Sequence, residues 1–270
     1  MKYKLIAIDM DGTLLNSKNQ VSERTKKAIL KAKEKEVHIV LATGRILRSA
    51  LYYSKSLSLS NPIVASNGAV IVDGASEIIH KKTLDKNSIR DLIDIGNKNN
   101  IYFHFYDESY FYSTMRVKEV LDFYNEGDSK FSIEMKLFQD IEDLISKDDF
   151  NVYKFLFVEE DLDKLQEFRN KLSSIENINI SSSWRNNVEA MAINVSKGEA
   201  LKKLCEKLNV KSQEVIAIGD SENDLSMLKF AGLSVAMKNG TKIIKKQADY
   251  ITDSNDNHGV AKVIEKFILG

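Results

Sequence analysis

The chain is short of cysteine, proline and tryptophan, with one of each in 270 residues. Cys205 alone can close no intramolecular disulfide and build no thiolate zinc site, so disulfide-stapled secreted scaffolds and zinc-finger modules are excluded, and a reducing compartment is expected. An excess of either charge is also missing. Lys and Arg total 39, Asp and Glu total 39, so nothing draws the whole molecule to nucleic acid or anionic lipid, and any charge that matters is local. Long apolar runs are lacking too. The first, Leu5 to Ile8, stops at Asp9, short of the roughly 7–15 residues of a signal-peptide core. The longest uncharged stretch, Ser56 to Val72, is broken by Ser, Asn, Gly and Pro62 and falls short of the ~20 apolar residues that span a bilayer. No G-x-G-x-x-G or G-x-x-x-x-G-K-[ST] pattern occurs, which argues against dinucleotide and P-loop nucleotide sites. A cytoplasmic protein with no nucleic-acid or membrane partner is expected, of one large or two ordinary domains.

The apolar pattern alternates between short buried runs and helical segments. Lys4 to Ile8 reads as a strand of a parallel sheet, closed by the polar turn Asp9 to Thr13. Ser22 can cap a helix carrying Ala28, Ile29 and Ala32 on one face, with Lys26, Lys27, Lys31, Lys33 and Lys35 forming a solvated side. Val37 to Ala42 is the next strand, Thr43-Gly44-Arg45 opens a helix to about Leu59, and Pro62 breaks the chain before the strand Ile63 to Ala65. The same grammar returns near the C-terminus: a helix from Lys197 to Leu208, the strand Val215 to Ile218, a turn at Gly219-Asp220, a helix to about Phe230 and the strand Leu233 to Ala236. This order predicts a Rossmann-like doubly wound parallel α/β sheet. Between the halves aromatic residues cluster (Tyr102, Phe103, Phe105, Tyr106, Tyr110, Phe111, Tyr112), and strands such as Val152 to Val158 lie between helices 86–98 and 161–172. The pattern predicts a core of residues 1–82 and 186–270 with an inserted α+β domain over 83–185.

Two acidic turns follow buried strands. In Asp9-Met10-Asp11-Gly12-Thr13 the period of a strand points Asp9 and Asp11 the same way, at the carboxyl end where open α/β sheets build their sites. Gly219-Asp220-Ser221-Glu222-Asn223-Asp224 also reads as a helix-capping box of Ser221 with Asp224. If the two strands are neighbours, Asp9, Asp11, Asp220 and Asp224 converge, and carboxylates so gathered repel unless a cation neutralises them. A hard, oxygen-only site with open positions suits Mg²⁺. Thr43 and Gly44, at a strand end and expected helix start, offer a hydroxyl and backbone N–H groups to an anion. Lys197, beside Gly198 at another helix start, offers a fixed positive charge. His38, His80, His104 and His258 show no metal-ligand spacing, and Cys205 is expected to be a buried thiol.

These motifs together resemble the haloacid dehalogenase-like superfamily of phosphohydrolases, in its Cof-type group with a large inserted cap. The resemblance rests on Asp9 to Leu14, Leu41-Ala42-Thr43-Gly44-Arg45, Ser196-Lys197-Gly198 and Gly219 to Asp224, supported by Ser66-Asn67-Gly68-Ala69, Val235 to Asn239 and Asp253 to Val260. It implies a phosphatase in which Asp9 is the nucleophile, forming an aspartyl-phosphate, and Asp11 the general acid and base. It further implies Mg²⁺ on the side chains of Asp9 and Asp220, the backbone carbonyl of Asp11 and, through water, Asp224. The substrate phosphate would meet Thr43, Gly44, the Met10 backbone, Lys197 and Asn223. The expected substrate is a small phosphorylated metabolite, a sugar phosphate foremost. The same chemistry would also serve a sugar phosphomutase or a phosphate-sensing module, and the group's inserted cap would exclude water.

Overall fold

The computed structural model describes residues 2–108, 110–118, 134–147 and 149–270. Eight strands make the first sheet: β1 (Leu5–Ile8), β2 (His38–Ala42), β3 (Ile63–Ala65), β4 (Val70–Val72), β5 (Ile78–Lys81), β12 (Val215–Gly219), β13 (Leu233–Ala236) and β14 (Tyr250–Ile251). Their order is β14-β13-β12-β1-β2-β3-β4-β5. From β14 to β3 the pairing is parallel, and β4 and β5 add an antiparallel edge. Residues of β1 and β12 are buried on both faces, which is why both read as unbroken apolar runs rather than alternating ones. Helix Glu23–Glu34, capped by Ser22, buries Ala28, Ile29 and Ala32, and helix Lys197–Leu208, capped by Ser196, buries Leu201 and Leu204.

The chain starts mid-sheet, winds outward through β2 and β3, and returns on the other side of β1 through β12. The switch of winding direction therefore lies between β1 and β12, the place where open α/β sheets present a crevice.

Between β5 and β12 the chain builds a second sheet in the order β10-β11-β9-β6-β7-β8. Its strands are β6 (Tyr102–Tyr106), β7 (Tyr110–Ser113), β8 (Glu134–Leu137), β9 (Lys154–Val158), β10 (Ile178–Ser181) and β11 (Asn187–Ala192). The expected α+β insertion is thus present, but its sheet outruns the span 83–185. Asn187–Ala192 pairs antiparallel with β9 and β10, so the return to the first sheet comes after Ala192. Residues 109, 119–133 and 148 of that span lie outside the described residues. The aromatic cluster is packing: Phe103, Phe105, Phe155 and Phe157 are buried against one another. Burial drives His104 down to about 3, with Lys154 adding to the shift, so its ring is neutral. Cys205 is buried and its thiol is pushed up to about 12. Among the described residues no helix is long and apolar enough to cross a membrane.

Candidate active site

Asp9 and Asp220 follow directly on β1 and β12, so strand pairing across the switch point brings the two acidic turns together. Carboxylate oxygens of Asp9, Asp220 and Asp224 lie within 4.8 Å of one another. Lys197, fully buried, donates to Asp9 Oδ1 (2.5 Å) and to Asp224 Oδ1 (2.6 Å). Asp224 Oδ2 accepts from the backbone N–H of Asp220 (2.9 Å) and Ser221 (3.0 Å), so both its oxygens are engaged by the protein. The capping box expected there forms, and it orients the carboxylate toward Lys197. Asp220 is held by the hydroxyls of Thr13 (2.7 Å) and Ser221 (2.9 Å).

One ammonium against three buried carboxylates leaves the cluster short of positive charge. Burial and then Asp224 raise Asp9 well above the usual carboxylate range, although Lys197 opposes them. The same two causes push Asp220 up to about 6. Burial alone would lower Lys197; Asp224 and Asp9 reverse that and hold it above its ordinary value. The donor set is all oxygen, buried and underneutralised, and so fits a hard divalent cation.

Gly12 makes this closeness possible. Its φ is +78°, and a Cβ there would sit 2.7 Å from Asp220 Oδ2. Gly12→Ala should therefore displace Asp220 as well as strain the turn, at a stability cost of about 1–2 kcal/mol. The apparent affinity for activating metal should weaken by roughly tenfold (about 1.4 kcal/mol), read from a metal titration of activity. An unchanged titration would contradict it.

Arg45 holds Asp11, a pairing the sequence reading missed. Its Nε donates to Oδ2 (2.8 Å) and its Nη2 to Oδ1 (2.6 Å). Arg45 was visible only as the residue after Thr43-Gly44. The helix beyond it runs from Leu47 to Ser56 with Ile46 as N-cap, so Thr43 and Gly44 do not open it as expected. They form a short non-helical link that bends at Gly44 and Arg45: Thr43 Oγ1 accepts from Arg45 N–H (3.0 Å), and the Gly44 carbonyl accepts from Lys154 (2.8 Å).

Lys154 belongs to a second unforeseen group. From β9 it also donates to Glu189 of β11 (2.7 Å), and the two side chains are 3% and 1% exposed. Glu189 accepts from Asn67 Nδ2 (2.8 Å), and Asn67 Oδ1 accepts from Asn223 Nδ2 (3.1 Å). Burial would raise Glu189, but Lys154 and Asn67 overcome it and hold the carboxyl below its ordinary range. The chain Lys154-Glu189-Asn67-Asn223 ties the second sheet to the segment after β3 and to the Gly219–Asp224 turn of the first.

Asp9, Asp11, Gly44 and Asn223 line one small pocket of about 40 Å³, roofed by Tyr106, Lys154 and Trp184. Met10, Thr43 and Lys197 are buried behind it.

The model of haloacid dehalogenase-like hydrolases matches residues 6–264. The chain is 37% identical over 266 residues to a 5-amino-6-(5-phospho-D-ribitylamino)uracil phosphatase, YcsE, of Bacillus subtilis, covering 98% of this chain and 96% of the relative. It is 32% identical over 290 residues to the phosphatase YwpJ of the same organism, covering 98% and 100%. A solved haloacid dehalogenase-like hydrolase from B. subtilis superposes with a TM-score of 0.90 at 32% identity, covering 98% of this chain and all of the other.

Proposed function

Because the chain belongs to the haloacid dehalogenase-like hydrolase family and is a phosphatase, we propose that it hydrolyses small cytoplasmic phosphomonoesters of sugars or polyols, with Mg²⁺, through an aspartyl-phosphate on Asp9. The observation that carries this reading is the underneutralised cluster of Asp9, Asp220 and Asp224 beside Asp11 at the switch point. YcsE and YwtE of B. subtilis are both named 5-amino-6-(5-phospho-D-ribitylamino)uracil phosphatases, which supports the ester of a polyol chain, there carrying a uracil ring.

The cation would be held by Asp9, Asp220 and the Asp11 carbonyl, with Asp224 behind. When bound, it supplies the positive charge the cluster lacks and keeps Asp9 ionised. Lys197 engages Asp9 Oδ1, so Oδ2 is the oxygen for attack. Its bond to phosphorus forms as the ester P–O bond breaks, and Asp11 protonates the leaving oxygen. Asp11 then takes a proton from water as that water displaces phosphate from Asp9. Arg45 occupies both Asp11 oxygens, so the fork must release them first. An incoming phosphate dianion competes for the same guanidinium. Thr43, Gly44, the Met10 backbone, Lys197 and Asn223 surround the phosphoryl oxygens. The inserted layer acts as the cap, reaching the pocket through Tyr106, Lys154 and Trp184, and excludes bulk water from it.

Asp220→Asn tests the charge argument. Because burial and Asp224 disfavour its charge, the variant should be more stable than wild type without metal, by about 1–2 kcal/mol. The rise in Tm with added Mg²⁺ should disappear, and phosphate release should fall about a hundredfold. Retention of the Mg²⁺-dependent rise would remove Asp220 from the metal site.

A further inference from the structure

The turn Ser66-Asn67-Gly68 at the end of β3 supplies no group to the chemistry of Asp9 and Asp11, yet its backbone is strained. All three residues lie in the left-handed region, with φ of +49°, +56° and +100°. For Ser that conformation is unfavourable, and Asn tolerates it chiefly as a single residue. Strain of this kind persists where the surroundings over-determine it. Here the surroundings are the segments read above as phosphate-binding. The N–H of Ser66 donates to the Arg45 carbonyl and that of Asn67 to the Thr43 carbonyl (2.9 Å each), so the turn grips the chain on both sides of Gly44. A Cβ on Gly44 would lie 3.0 Å from Asn67 Oδ1. The Asn67 side chain, 1% exposed, thus lies against the Thr43-Gly44 link while it reaches Asn223 on the Gly219–Asp224 turn.

The direction of these hydrogen bonds is forced. A carboxylate only accepts, whereas an amide has one donating and one accepting end. Lys154 pairs with Glu189 Oε1 (2.7 Å) and keeps it a carboxylate. Glu189 Oε2 must therefore face Asn67 Nδ2 (2.8 Å), and the sulfur of Met191, a weak acceptor, lies by the same nitrogen (3.7 Å). With its nitrogen so held, Asn67 offers Oδ1 to Asn223, which can answer only with Nδ2 (3.1 Å). Asn67 is the one side-chain partner of the Asn223 amide among the described residues. One hydrogen of Nδ2 is used there. The second remains for an acceptor in the pocket that Asn223 lines. Turned over, the amide would put its carbonyl oxygen where Nδ2 now stands and repel an anion.

We propose that Asn67 is a positioning residue for the phosphoryl group: locked by Glu189, it sets the Asn223 amide so that an N–H, and not the carbonyl oxygen, meets the phosphate. Glu189 thereby acts on phosphate binding from two residues away, through the direction of hydrogen bonding. The assignment rests on the reading of Asn223 as a phosphate ligand and adds to it the residues that orient it.

Calorimetric titration of inorganic phosphate into the Mg²⁺-loaded protein tests this, beside a thermal melt of each variant. Asn223→Ala should weaken binding about tenfold, the worth of one hydrogen bond to a charged group. Asn67→Gly keeps the left-handed backbone and deletes only the amide, and it should weaken binding to a similar extent. In Glu189→Gln the Lys154 ammonium holds the oxygen of the new amide, its nitrogen turns to Asn67, and both asparagines turn over. Phosphate should bind about tenfold more weakly there too. The sign is diagnostic, because removing a negative charge from the pocket wall would by itself tighten phosphate binding. Made in the Asn223→Ala protein, either change should cost less than about twofold, since its effect passes through Asn223. Losses that persist in that background, or a Glu189→Gln protein that binds phosphate as tightly as wild type, would overturn the relay while leaving the hydrolase intact. Should Asn67→Gly not fold, Glu189→Gln, alone and with Asn223→Ala, decides. Undiminished phosphate affinity in Asn223→Ala would overturn Asn223 as a phosphate ligand, and the relay with it.

Discussion

Replacing Asp9 by Asn should cut phosphate release by about four orders of magnitude while the fold stays in place. An amide of the same shape cannot supply the oxygen nucleophile, and loss of a covalent nucleophile removes the whole two-step route rather than one of its parts. The structural consequences run the other way. Asp9 is buried at the end of β1, where burial and Asp224 already disfavour its charge. Removing that charge relieves repulsion, and Lys197 keeps its bond to Asp224. The metal-free variant should therefore melt at or above the wild-type temperature. Phosphate release in saturating Mg²⁺, measured beside a thermal melt, decides it. Turnover within tenfold of wild type would exclude Asp9 as nucleophile, and a collapsed melt would show that its role is in folding.

The acidic turns were legible because each is local. Asp9-x-Asp11-x-Thr13 and Gly219 to Asp224 are contiguous, and the apolar runs before them announce parallel strands. That the two turns meet follows from the order of winding, which short connections restrict to few choices. What stayed hidden are the partners that only tertiary packing supplies. Thr13 and Asp220 are 207 residues apart, Arg45 and Asp11 34 apart, Asn67 and Glu189 122 apart. No periodicity links such pairs. Thr43-Gly44 shows a different failure: it has the composition of a helix start, but the Lys154 bond to the Gly44 carbonyl and the turn at Arg45 delay the helix to Leu47. Glu189 was hidden by its surroundings. In a strand with Val188, Ala190 and Met191, a fully buried carboxylate is legible only once its lysine is known.

That carboxylate carries the largest expected effect on stability. In Lys154→Met, Glu189 keeps Asn67, Ser181 and Ser183 as hydrogen-bond donors but loses its ion-pair partner and retains only the weaker pull of Lys197, and breaking a buried pair in this way costs about 3–5 kcal/mol. In a chain of this size that is a fall in Tm on the order of 10 °C. Adding Glu189→Gln to Lys154→Met should recover much of it, because the second substitution removes the stranded charge. The two changes should thus depart from additivity by about 2 kcal/mol or more. The pH dependence gives an independent sign. In wild type the Glu189 carboxyl lies below its ordinary range, so its contribution is full above the unfolded value near 4.3 and is lost as pH falls through the folded one. Without Lys154, burial dominates and raises the carboxyl, so the variant is penalised as pH rises and relieved as it falls. The deficit of Lys154→Met should be largest at pH 7–8 and shrink toward pH 4–5. Urea unfolding of the three variants at both ends of that range measures it, and additive, pH-independent losses would show that Lys154 contributes packing rather than charge.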